Sequence, residues 1–370
     1  MRVLMTTDSI GGVWNYSLEL CHALGAHGIR VTLAVLGGLL SPSQRHQVRR
    51  LSNVKLHEST FRLEWMADPW ADLERASEWL LSLERSAGAD VVHLNHLAHG
   101  HLPWASPVLT VGHSCVLSWW EAVHGRSTEL PAEWETYRRR VTQSLQASAY
   151  VVAPTEAMLE ELARLYGPFG RRAVIFNSRD WRRFRAGHKE VMVLSAGRLW
   201  DQAKNVAALA AVAPRLAAPV YVAGDLRSPD GHVSSFPGVE LLGKLDAPAL
   251  ASWYSRAAIC ALPARYEPFG LTALEAAMSG CALVLGDIPS LHEVWGPAAR
   301  YVHPDDHDGW ADTLNELVAN ESLRNRSAAR AMARARHFSP ARQAQRYRAL
   351  YQQMAGAHTG HGAPRKRPRA

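Results

Sequence analysis

The stretch Met1-Arg2-Val3-Leu4-Met5-Thr6-Thr7-Asp8-Ser9-Ile10-Gly11-Gly12, with its continuation to Val35, decides the fold. Val3-Leu4-Met5 is a short apolar run ending in a loop that holds Gly11-Gly12. A helical stretch follows, with Tyr16, Leu20, Ala23 and Leu24 spaced for one face and Gly28 closing it. Val31-Thr32-Leu33-Ala34-Val35 then reads as a second strand. Strand, glycine loop, helix and strand together form the building block of a parallel sheet. Outward from this unit the pattern continues. Residues 91–94, 108–111 and 150–153 are further buried-strand candidates, and 69–86 reads as a helix with Trp79, Leu80 and Leu83 facing inward.

A polar, basic segment at 177–189 (NSRDWRRFRAGHK) interrupts the alternation and marks a domain boundary. The alternation restarts with apolar runs at 191–194, 220–223, 239–242, 259–262 and 282–285. From 311 to 354 the chain reads as mostly helical, with Trp310, Leu314, Leu317 and Val318 on one face. Ser339-Pro340 suits a helix start, Ser as cap and Pro in the first turn. The expected fold class is α/β with two doubly wound domains, 1–185 and 186–340. A helix at 341–356 and a disordered basic tail at 357–370 follow. Ligands of such sheets bind outside the carboxyl ends of the strands, so the cleft between the domains is the default site.

Composition sets outer limits. The chain has 370 residues, enough for two domains, with 47 % apolar and 20 % charged residues, ordinary for a globular protein. Cys21, Cys115, Cys260 and Cys281 are too scattered for a disulfide framework, and none forms a C-x-x-C pair. Only three apolar residues precede the first polar run, so no secretory signal is expected. The longest apolar stretch, 206–222, is broken by Pro214, Arg215 and Pro219, which argues against a membrane span and for a cytoplasmic protein. The net charge of +7 is unevenly spread. Residues 1–185 carry 20 Lys and Arg against 18 Asp and Glu, and 186–356 carry 17 against 16. The last 14 residues carry four cations and no acid, so the folded body gives no support for nucleic-acid binding.

Familiar motifs of dinucleotide oxidoreductases, P-loop enzymes, zincins and serine hydrolases are missing. The stretch Glu267-Pro268-Phe269-Gly270-Leu271-Thr272-Ala273-Leu274-Glu275 carries the most chemistry. A helix starting near 270–271 presents free N–H groups and a positive dipole end, which suit a pyrophosphate. Glu275, a turn inside, could accept from a ribose diol, and Glu267 on the preceding loop could meet sugar hydroxyls. A solvated surface role is the alternative for both. Gly197-Arg198-Leu199-Trp200-Asp201-Gln202-Ala203-Lys204 follows a strand and offers a guanidinium and an ammonium, a common pairing for diphosphate. Gly11-Gly12 would let the backbone approach a ligand or simply form a tight turn. His113 could bond a sugar hydroxyl or be a satisfied core histidine. His93, His96, His99 and His101 suggest a metal, but no Cys or acid close in sequence completes a ligand set, and no metal is expected.

Together these features resemble the retaining family 4 glycosyltransferases of the GT-B fold, over about residues 1–355. The carriers are EPFGLTALEA with Glu267 and Glu275 eight apart, the Arg198/Lys204 segment, the Gly11-Gly12 loop with its helix, and Val174-Ile175-Phe176-Asn177 with Asp180 and Phe184. The resemblance implies that Arg198 and Lys204 bind a donor diphosphate, Glu275 the donor ribose, and Glu267 the transferred sugar. Backbone groups of Phe269, Gly270, Leu271 and Thr272 would line sugar and phosphates. Gly12 would approach the diphosphate, His113 the sugar hydroxyls, and Gly243-Lys244-Leu245 the nucleobase. It further implies that the last helix crosses back to the first domain. The sequence departs from the family at Gly224-Asp225-Leu226, Asn177-Ser178, Val13-Trp14-Asn15 and the 287–293 loop, which bears on donor and acceptor identity.

The reaction so implied moves a sugar from a nucleoside diphosphate sugar to an acceptor hydroxyl with retention and without a cofactor. The acceptor would be a glycan, a lipid-linked compound or a small molecule on the first domain. Trp65, Trp70, Trp119 and Trp120 could be stacking platforms there, with core packing as the alternative. Peripheral membrane contact stays open, although no basic amphipathic helix supports it. The rival readings are a GT-B phosphorylase or nucleotide-sugar epimerase, and a non-catalytic nucleotide-sugar-binding protein.

Overall fold

The computed structural model describes residues 1–228 and 231–360. Among these residues the chain forms two parallel sheets, each flanked by helices. The first has seven strands in the order β3-β2-β1-β4-β5-β6-β7. These are β1 Arg2–Asp8, β2 Arg30–Leu36, β3 Val54–Glu58, β4 Val91–Leu94, β5 Val108–Val111, β6 Tyr150–Ala153 and β7 Arg171–Val174. The second has six, in the order β10-β9-β8-β11-β12-β13. These are β8 Glu190–Ala196, β9 Val220–Ala223, β10 Glu240–Gly243, β11 Ala257–Leu262, β12 Ala282–Gly286 and β13 Arg300–Val302. Every strand pairing within both sheets is parallel.

Helices over the first sheet are α1 Gly12–Gly25, α2 Pro42–Arg49, α3 Trp70–Ala87, α4 Val116–His124, α5 Glu135–Ala147 and α6 Glu156–Tyr166. Those of the second are α7 Val206–Val212, α8 Ala247–Arg256, α9 Leu271–Met278, α10 Pro289–Trp295, α11 His307–Ala319 and α12 Glu321–Ala335. The last, α13 Pro340–Gly360, returns to the first domain. Its Ala344, Tyr347, Leu350, Tyr351 and Met354 share a core cluster with Val3, Trp14, Leu20 and Val31. α13 therefore runs to Gly360, and the tail expected from residue 357 is helical over its first four residues. The basic stretch from 361 to 370 lies outside the described residues.

Helices cover both faces of each sheet, so the central strands are buried on both sides and read as unbroken apolar runs. β4, β5, β6, β11 and β12 are buried along their whole length. The edge strands β3 (VKLHE), β7 (RRAV) and β13 (RYV) carry charged side chains and are only partly buried. No apolar run announces them, and the sequence reading missed all three. The polar segment after β7, read as the domain boundary, is partly inside the protein. Its Asn177, Ser178 and Arg179 are buried.

Both sheets reverse strand order once, between β1 and β4 and between β8 and β11. At such a reversal the helices leave on opposite faces and a crevice opens at the strand carboxyl ends. The two crevices belong to the two domains that face each other across the cleft.

Candidate active site

In the second-domain crevice a small cavity of about 40 Å³ is lined by Gly197, Lys204, Glu267 and Thr272, among others. Asp201 organises the loop after β8. One carboxylate oxygen accepts from the amide of Ala203 at 3.0 Å, and the other pairs with Arg198 at 2.8 Å. The Lys204 ammonium lies 2.7 Å from Glu267 Oε2. Glu267 Oε1 accepts from the amide of Gly270 at 2.9 Å, so this carboxylate sits at the N-terminus of α9. Burial pushes the Glu267 carboxyl up, but Lys204 and the amides of Phe269 and Gly270 hold it below the ordinary value. Arg198 has its guanidinium over the Trp200 ring and stays accessible.

Two glycines open the helices that meet across the cleft. Gly11 (φ 86°, ψ −147°) precedes α1, and Gly270 (φ 88°, ψ 62°) precedes α9. A side chain in either conformation would be strained. A Cβ on Gly12 would come 3.6 Å from Leu271 Cδ1, so the first-domain glycine loop touches the start of α9.

Other residues also close the cleft. Trp119 Nε1 donates to Asp201 at 2.8 Å, and Thr155 Oγ1 donates to the Pro268 carbonyl at 3.0 Å. Ser118 Oγ and the Cys115 amide donate to the Tyr266 hydroxyl at 2.7 and 3.1 Å. Glu293 on α10 accepts from the amides of Glu156 and Ala157, the first residues of α6, at 2.8 and 3.0 Å. A carboxylate at a helix N-terminus satisfies its free amides and its dipole.

His113 is held by a polar chain. Asn95 Nδ2 donates to the Thr6 carbonyl at 2.7 Å, which fixes the amide and leaves Oδ1 as an acceptor. His113 Nε2 lies 2.8 Å from that oxygen and His93 Nε2 3.1 Å from it. Both rings therefore carry their proton on Nε2. His93 Nδ1 accepts from the Tyr351 hydroxyl of α13 at 2.6 Å, and His113 keeps Nδ1 as an acceptor. Burial lowers both rings to about 3, so they are neutral at pH 7.

The first-domain crevice is differently charged. Asp8 ends β1 and His96 follows β4, with His96 Nε2 3.9 Å from Asp8 Oδ2. Glu64 Oε1 accepts from the Leu97 amide at 2.8 Å, while Glu64 Oε2 and His96 Nδ1 have no hydrogen-bond partner in the protein. Burial alone would lower His96, but Asp8 and Glu64 outweigh it and raise the ring. Among the described residues no group of three or more His, Cys, Asp or Glu is arranged to hold a metal ion.

The remaining predicted residues fall as follows. Glu275 on α9 is buried against Arg179, with 2.7 Å between Oε1 and Nε. Burial raises its carboxyl in spite of that cation. Phe269 packs its ring on Phe338 in the core, so only its backbone faces the site. Lys244 is exposed and 3.8 Å from Asp225, and Leu245 packs on the core edge. Trp65 and Trp70 pack against core clusters, and Trp120 lies on His124. Sequence reasoning missed Arg179, Glu19, Asn95, Asp201 and Glu293, whose partners are distant in sequence.

Two facing parallel-sheet domains of this kind are the GT-B fold. The "Glycosyltransferase Family 4" description matches residues 10–183, and "Glycosyl transferases group 1" matches 190–320. The chain belongs to this glycosyltransferase family. The D-inositol 3-phosphate glycosyltransferase of a Nocardioides species is 26 % identical over 90 % of this chain and 83 % of its own. The glycogen synthase of Mycobacterium tuberculosis is 28 % identical over 74 % of this chain and 72 % of its own. Among solved structures, sucrose-phosphate synthase from Thermosynechococcus elongatus superposes with a TM-score of 0.81 at 18 % identity, covering 96 % of this chain and 100 % of its own. Anabaena HepE, solved with UDP-glucose, gives 0.74 at 14 %, covering 95 % of this chain and 100 % of its own. At those identities the structural likeness speaks to fold alone. Among the described residues no helix is long and apolar enough to cross a membrane.

Proposed function

We propose that this glycosyltransferase is retaining and metal-independent, with a nucleoside diphosphate sugar as donor and a hydroxyl as acceptor. One observation carries the reading: Lys204, Glu267 and the start of α9 meet in one crevice beside the loop that holds Arg198, with Gly12 against Leu271 from the other side. Arg198 and Lys204 bind the departing diphosphate, and the amides of Leu271 and Thr272, which lack intrahelical partners, add to that charge stabilisation. The cations supply what a divalent ion would otherwise supply. Glu267 receives sugar hydroxyls once the diphosphate draws Lys204 toward itself. His113 Nδ1 accepts a hydroxyl of the transferred sugar, and Glu275 accepts from the donor ribose. Lys244 and Leu245 flank the base. A diphosphate oxygen takes the acceptor proton as the new bond forms on the face the diphosphate leaves, so no carboxylate acts as nucleophile.

The acceptor, a glycan, a lipid-linked compound or a small molecule, enters on the first domain, at the crevice beside Asp8 and His96. The domains divide at 185/186, α13 ties them together, and the enzyme works in the cytoplasm. UDP is the first nucleotide to test, because solved neighbours were obtained with UDP and UDP-glucose. Thermal unfolding with UDP, GDP, ADP and dTDP tests the donor site. A nucleotide at ~100 times its dissociation constant adds about 2.7 kcal/mol. A shift with one nucleotide, lost in Arg198→Ala and Lys204→Ala, is expected. No shift with any of the four would refute the donor site.

A further inference from the structure

The segment joining the two sheets places one guanidinium between two carboxylates. Arg179 is buried, with NH1 3.0 Å from Glu19 Oε1 on α1 and Nε 2.7 Å from Glu275 Oε1 on α9. All three groups are almost wholly shielded from water. The guanidinium also lies over the Phe184 ring, 5.2 Å from its centre. Two helices from opposite domains thus share one cation, held on the connection between them. Neither Glu19 nor Arg179 has a part in the donor chemistry above, and a buried ion triad is costly unless each charge is matched.

We propose that Arg179 is a positioning residue that holds Glu275 as an ionised double acceptor and thereby makes the site select a ribonucleotide by its vicinal diol. The proposal rests on the reading of Glu275 as the ribose-binding group. An ionised carboxylate has about four lone-pair sites, so Glu275 can keep the Arg179 contact and still accept from two hydroxyls. A neutral carboxyl would use one oxygen as a donor and lose that double acceptance. Arg179 supplies the charge that opposes the upward push of burial on Glu275, and its Nε, 2.7 Å from Oε1, holds one carboxylate oxygen in place. Glu19 fixes the other edge of the fork, so the diol site is anchored on the first domain as well as the second.

The test compares each nucleoside diphosphate with its 2′,3′-dideoxy counterpart on the full chain, by calorimetric titration, for UDP, GDP and ADP. Wild type is expected to bind one ribonucleotide at least about tenfold more tightly than the dideoxy form, the loss of hydrogen bonds to a charged group. Arg179→Met is expected to bring that ratio to about twofold or less while leaving dideoxy affinity nearly unchanged. Arg179→Lys, with the charge but not the fork, is expected to fall between. Should Arg179→Met fail to fold, Arg179→Met with Glu19→Gln removes one charge of each sign and gives the same reading. A general structural role would weaken ribo and dideoxy forms alike and keep their ratio, which would overturn the proposal. A wild type that binds a nucleotide without preferring the ribo form would overturn it as well. Binding of dTDP alone, which lacks the 2′-hydroxyl, would overturn it too, whereas binding of none of UDP, GDP, ADP and dTDP would instead sink the donor site itself.

Discussion

The two crevices have the same topology and opposite chemistry. In the second domain the strand ends present Arg198 and Lys204, with Glu267 bridging to the amides at the start of α9. In the first they present Asp8 and His96, with Glu64 against the same wall, and neither an arginine nor a lysine takes part in that cluster. One β-α-β arrangement thus gathers cations on one side of the cleft and a carboxylate–imidazole cluster on the other. Topology decides where a ligand lies, and side chains decide which ligand. A diphosphate would be repelled by the first crevice, and a neutral hydroxyl compound gains nothing from two cations in the second.

The largest effect expected to separate the crevices is loss of the donor cations. Lys204→Ala should lower kcat/KM by roughly 10²-fold or more, as expected for a charged partner of a leaving group. Steady-state kinetics with the donor found by thermal unfolding checks this, and an unchanged kcat/KM would dissolve the contrast.

Acid should distinguish the two domains next. His93, His99 and His113 of the first domain are held neutral by burial, each lowered to about 3. Their folded values lie below the unfolded one near 6.5. The stability they confer is therefore complete above that value and lost as pH falls below it, by up to roughly 1.4 kcal/mol per pH unit each. Glu267 and Asp201 of the second domain are lowered carboxyls, whose contribution persists until pH falls below about 4. Hydrogen exchange at pH 5 should show β4 and β5 losing protection before β11 and β12. Simultaneous loss would show that the histidines do not set the acid limit.

A smaller effect is expected at the first crevice. Glu64→Gln or Asp8→Asn should raise acceptor KM by about three- to tenfold, near 1 kcal/mol, with donor affinity unchanged. A matching loss of donor affinity would mean that the crevices are not separate sites. The smallest effect is expected at Lys244, which is 80 % exposed. Lys244→Ala should change donor affinity by about twofold or less. A tenfold loss in titration would show that the base is gripped by its ammonium.

Local chemistry was legible in the sequence, and long-range pairing was not. The apolar runs of β1, β4, β5, β8, β11 and β12 stand out because both of their faces are covered. Gly270 and Gly280 bracket α9 as its sequence implied, the latter in the left-handed conformation at φ 81°. Arg198, Lys204 and Glu267 were singled out because each lies on a loop that follows a strand, as the structure places them. Glu19 and Arg179 are 160 residues apart, and the partner of His93 on α13 is 258 residues away. No spacing rule links such positions, so the triad and the state of His113 needed the fold. A lone arginine in the otherwise small, buried run Asn177-Ser178-Arg179 was the one available hint, and it was read only as part of the polar, basic segment that marks the domain boundary.

The central claim is that the cation-bearing crevice of the second domain binds a nucleoside diphosphate. Calorimetric titration of UDP, GDP, ADP and dTDP into wild type, into Arg198→Ala with Lys204→Ala, and into Asp8→Asn tests it most directly. One nucleotide should bind wild type and Asp8→Asn alike and bind the double variant at least about a hundredfold more weakly, as expected for two lost charge-assisted contacts. Equal affinity in wild type and the double variant would contradict the account.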